Sequence, residues 1–260
     1  WDTISIRGLA YTSWAVGFDD ADVNKIEFGV EPELDIDLGR FGRITALGRV
    51  RFDGADQLEP GQGGQFERAT VSRRLHLGDH GDAELREFYW DVDIGSSFLR
   101  LGKQQVVWGQ ADGLRVLDVL NPLDFREWIL GDLEDRRIPI WMANLEVPLG
   151  AVNAQFIWIA DHTYDDIPDF DATFGPDSSL LVPQVPDDVV LNGPPQINRP
   201  DRPSRFIQDD DYGIRLSAFL GGWDLSVNYL YHYNDRQVVR RVFDEFGALR
   251  VNPGYERTHL

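Results

Sequence analysis

From Ile26 to Leu38 every second residue is apolar: Ile26, Phe28, Val30, Pro32, Leu34, Ile36 and Leu38. Between them lie Glu27, Gly29, Glu31, Glu33, Asp35 and Asp37. Side chains of a strand point alternately to opposite faces, so this segment has one apolar face and one acidic face. Two architectures accept such a strand. A soluble sheet must cover the apolar face with a second layer, whereas a transmembrane barrel places it against lipid and turns the polar face to a water-filled lumen.

The alternation continues into hairpins. Residues 3–16 read as a first strand with Ile4, Ile6, Ala10 and Trp14 on one face. Folding 26–38 back on 43–52 about Gly39–Gly42 sets Ile36 against Ile44, Val30 against Val50 and Phe28 against Phe52, and the same register sets Asp37 against Arg43 and Glu31 against Arg49. A slip of one residue destroys both matches. A hairpin over 141–159 pairs Val147 with Val152, Leu145 with Ala154, Ala143 with Phe156 and Trp141 with Trp158, across a four-residue turn from Pro148 to Ala151. Gly221-Gly222 is a two-residue hairpin signal that pairs Leu220 with Trp223, Leu216 with Val227 and Arg215 with Asn228. A fourth hairpin turns at Gly95-Ser96-Ser97, with Asp93 opposite Arg100 and a bulge near Gly102 that moves Lys103 off the apolar face.

Short turns alternate with long polar connections at 54–82, 109–136, 161–210 and 234–254. Outer-membrane barrels have this asymmetry, with tight periplasmic turns and long extracellular loops. Residues 68–77 fit the alternation only as part of an extracellular excursion, since a spanning strand there would reverse the side of every later loop. Trp14, Trp90, Trp108, Trp141, Trp158 and Trp223 suit an interfacial girdle. The fold expected is therefore all-β: an antiparallel up-and-down transmembrane β-barrel, residues 1–260 forming a single domain. About nine spanning strands are legible and 255–260 starts a tenth, so the chain reads as the N-terminal portion of a larger barrel. No apolar run approaches the roughly 20 residues a membrane helix needs.

One segment is not strand-like. In the 112–133 insertion, Asn121-Pro122-Leu123-Asp124 has the form of a helix start, and Phe125, Trp128, Ile129 and Leu133 then share a helical face. A short helix there either narrows the lumen or packs on neighbouring loops. Here the chain resembles a known group. Leu85-Arg86-Glu87-Phe88-Tyr89-Trp90, Gly102-Lys103-Gln104, Trp108-Gly109, Asp118 and Asn121-Pro122 are similar to motifs of certain domain-of-unknown-function families of proteobacterial outer-membrane, porin-like proteins. The match covers roughly 83–130. The resemblance implies an outer-membrane barrel, often encoded beside an outer-membrane lipoprotein or a resistance-nodulation-division-type exporter, with hydrophobic compounds among its suggested solutes.

The function expected is a channel of the bacterial outer membrane for passive passage, export or uptake of small solutes, with outer-membrane lipid and lipopolysaccharide around it. The alternative is a soluble β-sandwich or jelly-roll protein that binds carbohydrate on its aromatic residues. In the channel reading Glu31, Glu33, Asp35, Asp37, Arg43, Arg49, Arg51, Asp91, Asp93, Arg100 and Lys103 line the pore, and Gln104, Trp108, Asp112, Asp118, Asn121 and Asp124 belong to the segment that sets its aperture. Arg49→Glu then changes ion selectivity and leaves assembly intact. The net charge of −19 argues against a nucleic-acid partner. With no cysteine and five scattered histidines (His76, His80, His162, His232 and His259), thiol chemistry is excluded and no catalytic constellation stands out, so no enzyme is expected. No cofactor is expected beyond a divalent cation in the acidic loop Asp161, Asp165, Asp166, Asp169 and Asp171, for which a solvated loop is the plainer reading. Asp209-Asp210-Asp211 likewise reads as solvent-exposed.

Overall fold

Alternating sequence becomes alternating strand throughout. In the computed structural model, which describes residues 3–18, 22–55, 65, 67–109, 118–128, 130–168, 173–175, 196–198, 200–243 and 248–260, the strands are β1 (Ile4–Val16), β2 (Val23–Asp37), β3 (Arg43–Asp53), β4 (Leu75–His76), β5 (Gly81–Ile94), β6 (Ser97–Gln104), β7 (Ile140–Leu149), β8 (Val152–Ile159), β9 (Gln196–Ile197), β10 (Asp211–Leu220), β11 (Trp223–Tyr233), β12 (Val238–Phe243), β13 (Leu249–Gly254) and β14 (Arg257–His259). An eleven-stranded antiparallel sheet runs in the order β1-β2-β3-β5-β6-β7-β8-β10-β11-β14, with β4 beside β5. Each long strand pairs with the next in sequence, an up-and-down meander and not the order of a jelly roll. Among the described residues the sheet does not close, and β1 and β14 are its two ends. A second sheet holds β12, β13 and β9.

The β2–β3 register is the one the two faces dictate: Phe28 opposite Phe52, Val30 opposite Val50, Ile36 opposite Ile44 and Asp37 opposite Arg43. The β10–β11 hairpin also pairs as read, closed by Gly221 at φ 58° and Gly222 at φ 88°. Two other hairpins are displaced by two residues. Trp158 pairs with Ala143 and Val152 with Leu149, because Gly150 at φ 68° makes a tight turn that lets the strand run through Pro148 and Leu149. Arg100 pairs with Asp91, and Asp93 with Phe98, because the turn is only Gly95-Ser96. A shift of two keeps every side chain on its face, so facial pattern alone cannot detect it.

No residue is inserted at Gly102. The register shift lies on the other side of β5, where Leu47 pairs with Glu87 but Gly48 with Leu85, leaving Arg86 as the extra residue. What Gly102 supplies is its backbone, at φ 136° and pressed so close to β5 that a Cβ would lie 2.1 Å from the Phe88 carbonyl oxygen. There the chain turns Lys103 inward to donate to the Leu85 carbonyl at 2.7 Å. Gly102→Ala is expected to cost about 1–3 kcal/mol, measured as a lower denaturant midpoint. An unchanged midpoint would mean that the β5–β6 ladder absorbs the side chain.

The two faces of the large sheet differ. One is bare and apolar: Ile6, Phe28, Phe52, Leu85, Phe156, Ile214, Leu225 and Val227 are all exposed on it. The other is polar and is covered in part by connections from the long-loop end, Arg7 and Ser226 remaining exposed on it. Residues 67–76 reach it through the 3-10 turn Thr70–Ser72 and β4, so 68–77 is an excursion with only two strand residues. The insertion after β6 brings Val106, Trp108 and Leu120 onto Ile140, Met142, Ile157, Ile159 and Leu230, the main buried apolar cluster. Trp108 is thus an inward core residue, not part of a girdle.

The expected helix start at Asn121 is not a helix. Asn121 is fully buried: its side-chain oxygen accepts from the Val106 N–H at 2.8 Å, and its Nδ2 donates to the carbonyls of Ile138 (3.0 Å) and Gln104 (3.2 Å). With that side chain engaged at long range, Leu123 and Asp124 form isolated bridges, and Trp128 takes φ 53°. Among the described residues the helix of this insertion, α1 (Leu133–Arg136), is one turn long and comes later. Ile129 lies outside the described residues.

Candidate functional site

The acidic row of β2 meets cations from three directions on the covered face. Arg7 of β1 spans Glu33 and Asp35 at 2.7 Å each, and Thr45 donates to Asp35 at 2.7 Å. Arg49 pairs with Glu31 and reaches Asp135 of α1 at 3.1 Å. Arg51 grips Asp82 through two nitrogens, at 2.6 and 3.1 Å. Arg43 faces Asp37 in one ladder and Asp91 in the other. Arg100 makes two contacts with Asp91, at 2.6 and 2.8 Å, and lies 3.9 Å over the Tyr89 ring. Asp93 stays exposed near the turn. Lys103 lies within electrostatic reach of Glu84, Arg68 and Asp161. Arg49 is buried between two carboxylates, so Arg49→Glu would juxtapose three like charges. It is a folding mutation and not a clean probe of selectivity.

A deeply buried charge cluster was not legible in the sequence. Arg68, 1 % exposed, contacts Asp166 (3.0 Å), Glu84 (3.3 Å) and Asp124 (3.4 Å). Arg74 contacts Asp166 (3.1 Å) and Asp82 (3.4 Å), and Arg126 joins Asp124 at 2.7 Å. Burial opposes the Arg68 charge, but Asp166, Glu84 and Asp124 outweigh it and raise its pKa. Arg74 is lowered to about 10 by burial and by Arg126 and Arg68, so it remains a cation at neutral pH. Burial works against the Asp124 carboxylate too, yet Arg126 and Arg74 hold it well below the usual carboxylate range. These pairs bind residues 67–76, the insertion and the 161–166 loop to β5. The one available hint was a run of arginines, Arg68, Arg73 and Arg74, in a strongly acidic chain.

The motif residues after β6 act as a clasp. Gln104, fully buried, donates to the carbonyl of Met142 at 3.2 Å. Trp108 donates to Gln155 at 2.8 Å, Asp118 pairs with Arg137 at 2.7 Å, and Asn121 joins the start and return of the insertion. Asp112 lies outside the described residues. Held this way, the insertion leaves a cleft of about 580 Å³ against β1–β3. Tyr11, Lys25, Glu31, Arg49, Arg126 and Asp135 line it, so its walls carry both signs of charge and are set by ion pairs that cross from sheet to insertion.

The acidic loop is occupied by protein partners. Asp161 accepts from Thr163 at 2.6 Å and from the Trp141 N–H at 3.2 Å, Asp165 accepts from the Leu123 N–H at 2.8 Å, and Asp166 faces Arg68 and Arg74. Asp169 and Asp171 lie outside the described residues, among which no group of acids and histidines has the arrangement of a metal site. The run Asp209-Asp210-Asp211 is not solvated. Asp209 and Asp210 are buried, the first accepting from the Ser204 and Arg205 N–H groups and the second from Trp158 Nε1 at 2.8 Å. Each satisfies donors of the 200–210 loop or the end of β8, a demand that arises only when the loop folds.

A family model described as "Protein of unknown function (DUF1302)" matches residues 30–256. No curated protein and no solved structure matches the chain.

Proposed function

The chain belongs to the DUF1302 family of proteins of unknown function, and from that premise we propose that its large sheet is part of the wall of an outer-membrane β-barrel channel for small solutes. The observation that carries this is the bare face. Phe28, Phe52, Phe156, Ile214 and Val227 stay exposed across strands from β2 to β11, while the opposite face is charged and partly covered by the long connections. A water-soluble sheet of this size would need a second layer over its apolar side. The other sheet among the described residues has three short strands and leaves that side uncovered.

Aromatic residues add support at both margins. Trp14, Trp158 and Tyr212 are exposed at the long-loop end, and Phe41, Trp90 and Trp223 at the tight-turn end. Two such rows with aliphatic residues between them are the pattern of a lipid-facing girdle. The long strands, from 8 to 15 residues, are of the order needed to cross a bilayer at a tilt. Unpaired backbone is not tolerated in hydrocarbon, so in this reading the edges of β1 and β14 must each be paired within the membrane. In this reading the passage runs along the covered face, and the cleft beside Arg49 and Arg126 is its narrow part. Lipid and lipopolysaccharide are the surroundings, and an outer-membrane lipoprotein or exporter is the kind of protein partner the resemblance implies.

The test is heat-modifiable gel mobility of the full-length protein recovered from an outer-membrane fraction. Faster migration before boiling than after is expected of a closed, detergent-stable barrel. Recovery in the soluble fraction with no mobility shift would overturn the proposal.

A further inference from the structure

The cleft between the insertion and β1–β3 combines exposed apolar side chains with an uneven division of charge. Leu9 lies directly opposite Glu31 in the β1–β2 ladder, so it shares the acidic face, yet it is exposed. Leu130 is exposed on the insertion. Both line the cleft, whose volume of about 580 Å³ accepts a small organic molecule. Tyr11 lines it too. Its ring lies over Gly29, so close that a Cβ there would meet it at 2.2 Å, and this places the ring at the strand position between Glu27 and Glu31.

The cations of the cleft are shared. Lys25 serves two carboxylates, Glu127 at 2.6 Å and Glu27 at 3.5 Å. Arg49 likewise serves Glu31 and Asp135. The other cations that line the cleft have their own partners: Arg51 contacts Asp82, Arg126 contacts Asp124 and Asp82, and Arg136 lies 5.2 Å from the centre of the Phe125 ring. Four carboxylates thus divide Lys25 and Arg49 between them. Burial adds to the imbalance. The side chains of Lys25 and Arg49 are 9 % and 8 % exposed, whereas those of Glu127 and Asp135 are 29 % and 64 % exposed. A molecule in the cleft meets carboxylate oxygens, a phenol ring and leucine side chains, with the two shared cations largely out of reach.

We propose that this cleft binds an amphipathic organic monocation, its ammonium drawn to the Asp135 and Glu127 carboxylates and its apolar body over Tyr11, Leu9 and Leu130. The carboxylates supply charge-assisted hydrogen bonds, and the aromatic ring attracts a cation through its face. A small hydrophilic cation leaves the leucines and the ring in water. An apolar anion meets the surplus of negative charge and is repelled. As the solute class of the narrow part of the passage the assignment rests on the channel reading; as a binding site it rests on the cleft alone.

The test is calorimetric titration of the full-length protein in non-ionic detergent with phenethylammonium, methylammonium and phenylpropionate. Phenethylammonium is expected to bind at least about tenfold more tightly than either of the others. Asp135→Asn should weaken it about tenfold, and Leu9→Asn about fivefold through lost apolar contact. Both side chains are exposed, so neither variant should disturb folding, and an unchanged denaturant midpoint checks this. Absence of phenethylammonium binding, equal binding of methylammonium or phenylpropionate, or unchanged binding in a folded variant overturns the proposal. Phenethylammonium binding by a protein with no heat-dependent mobility shift would keep the cleft and remove the channel. A shifted barrel that ignores phenethylammonium would do the reverse.

Discussion

Arg68→Met should destabilise the folded chain by about 3–5 kcal/mol, the range for removing one member of a buried, hydrogen-bonded charge network. The side chain is 1 % exposed, and its loss leaves Glu84, Asp124 and Asp166 facing one another with one cation fewer. The loss should begin locally, because the same guanidinium joins the 67–76 segment, the insertion and the 161–166 loop to β5. Hydrogen exchange should therefore rise first around Asp124 and Asp166, ahead of the β2–β3 ladder. Uniform protection with an unchanged denaturant midpoint would refute the anchoring role. The same cluster has a pH signature. The folded pKa of Asp124 is depressed, so its contribution is fully present above the unfolded carboxylate value of about 3.9 and is lost as pH falls below it. The wild type should loosen in acid below about pH 4, and the Arg68→Met chain, already without one counter-charge, should show a smaller acid-dependent loss.

Val30→Arg should prevent insertion into a bilayer, at a cost of about 2–4 kcal/mol for a cation at the membrane midplane. Val30 lies mid-strand on β2, opposite Ala10 and Val50, with its side chain toward the bare face. In water a substitution at such a half-exposed site shifts stability by only about 0.5 kcal/mol, so the size of the effect separates lipid from solvent on that face. The measurement is folding of the full-length protein into vesicles, followed by the unboiled gel band. Val30→Arg that folds as efficiently as wild type would remove the lipid assignment of the bare face. Arg49→Glu cannot serve as its counterpart on the polar face, because burial between Glu31 and Asp135 couples that side chain to folding.

Much of the sheet was determined by sequence alone. Period-two patterning assigned the faces of β1, β2, β3, β10 and β11, and where the two faces carried complementary chemistry, as with Val30–Val50 and Glu31–Arg49, it set the register as well. Gly221-Gly222 did the same through turn geometry. Pattern failed where two registers present the same faces. Ala143 beside Trp158 and Asp91 beside Arg100 differ from the expected pairs by two residues, and only the tight turns at Gly150 and Gly95 chose between them. The site divides in the same way. Glu31 to Asp37 and Arg43 to Arg51 were visible because they alternate locally. Arg68 and Arg74, the clasp at Asn121 and the burial of Asp209 and Asp210 depended on contacts between segments far apart in the chain. A strand's pattern states which side each residue faces, since that follows from local backbone geometry. What lies across from that face is decided by how loops return over the sheet and by which buried charge each must satisfy, and only the tertiary structure contains that.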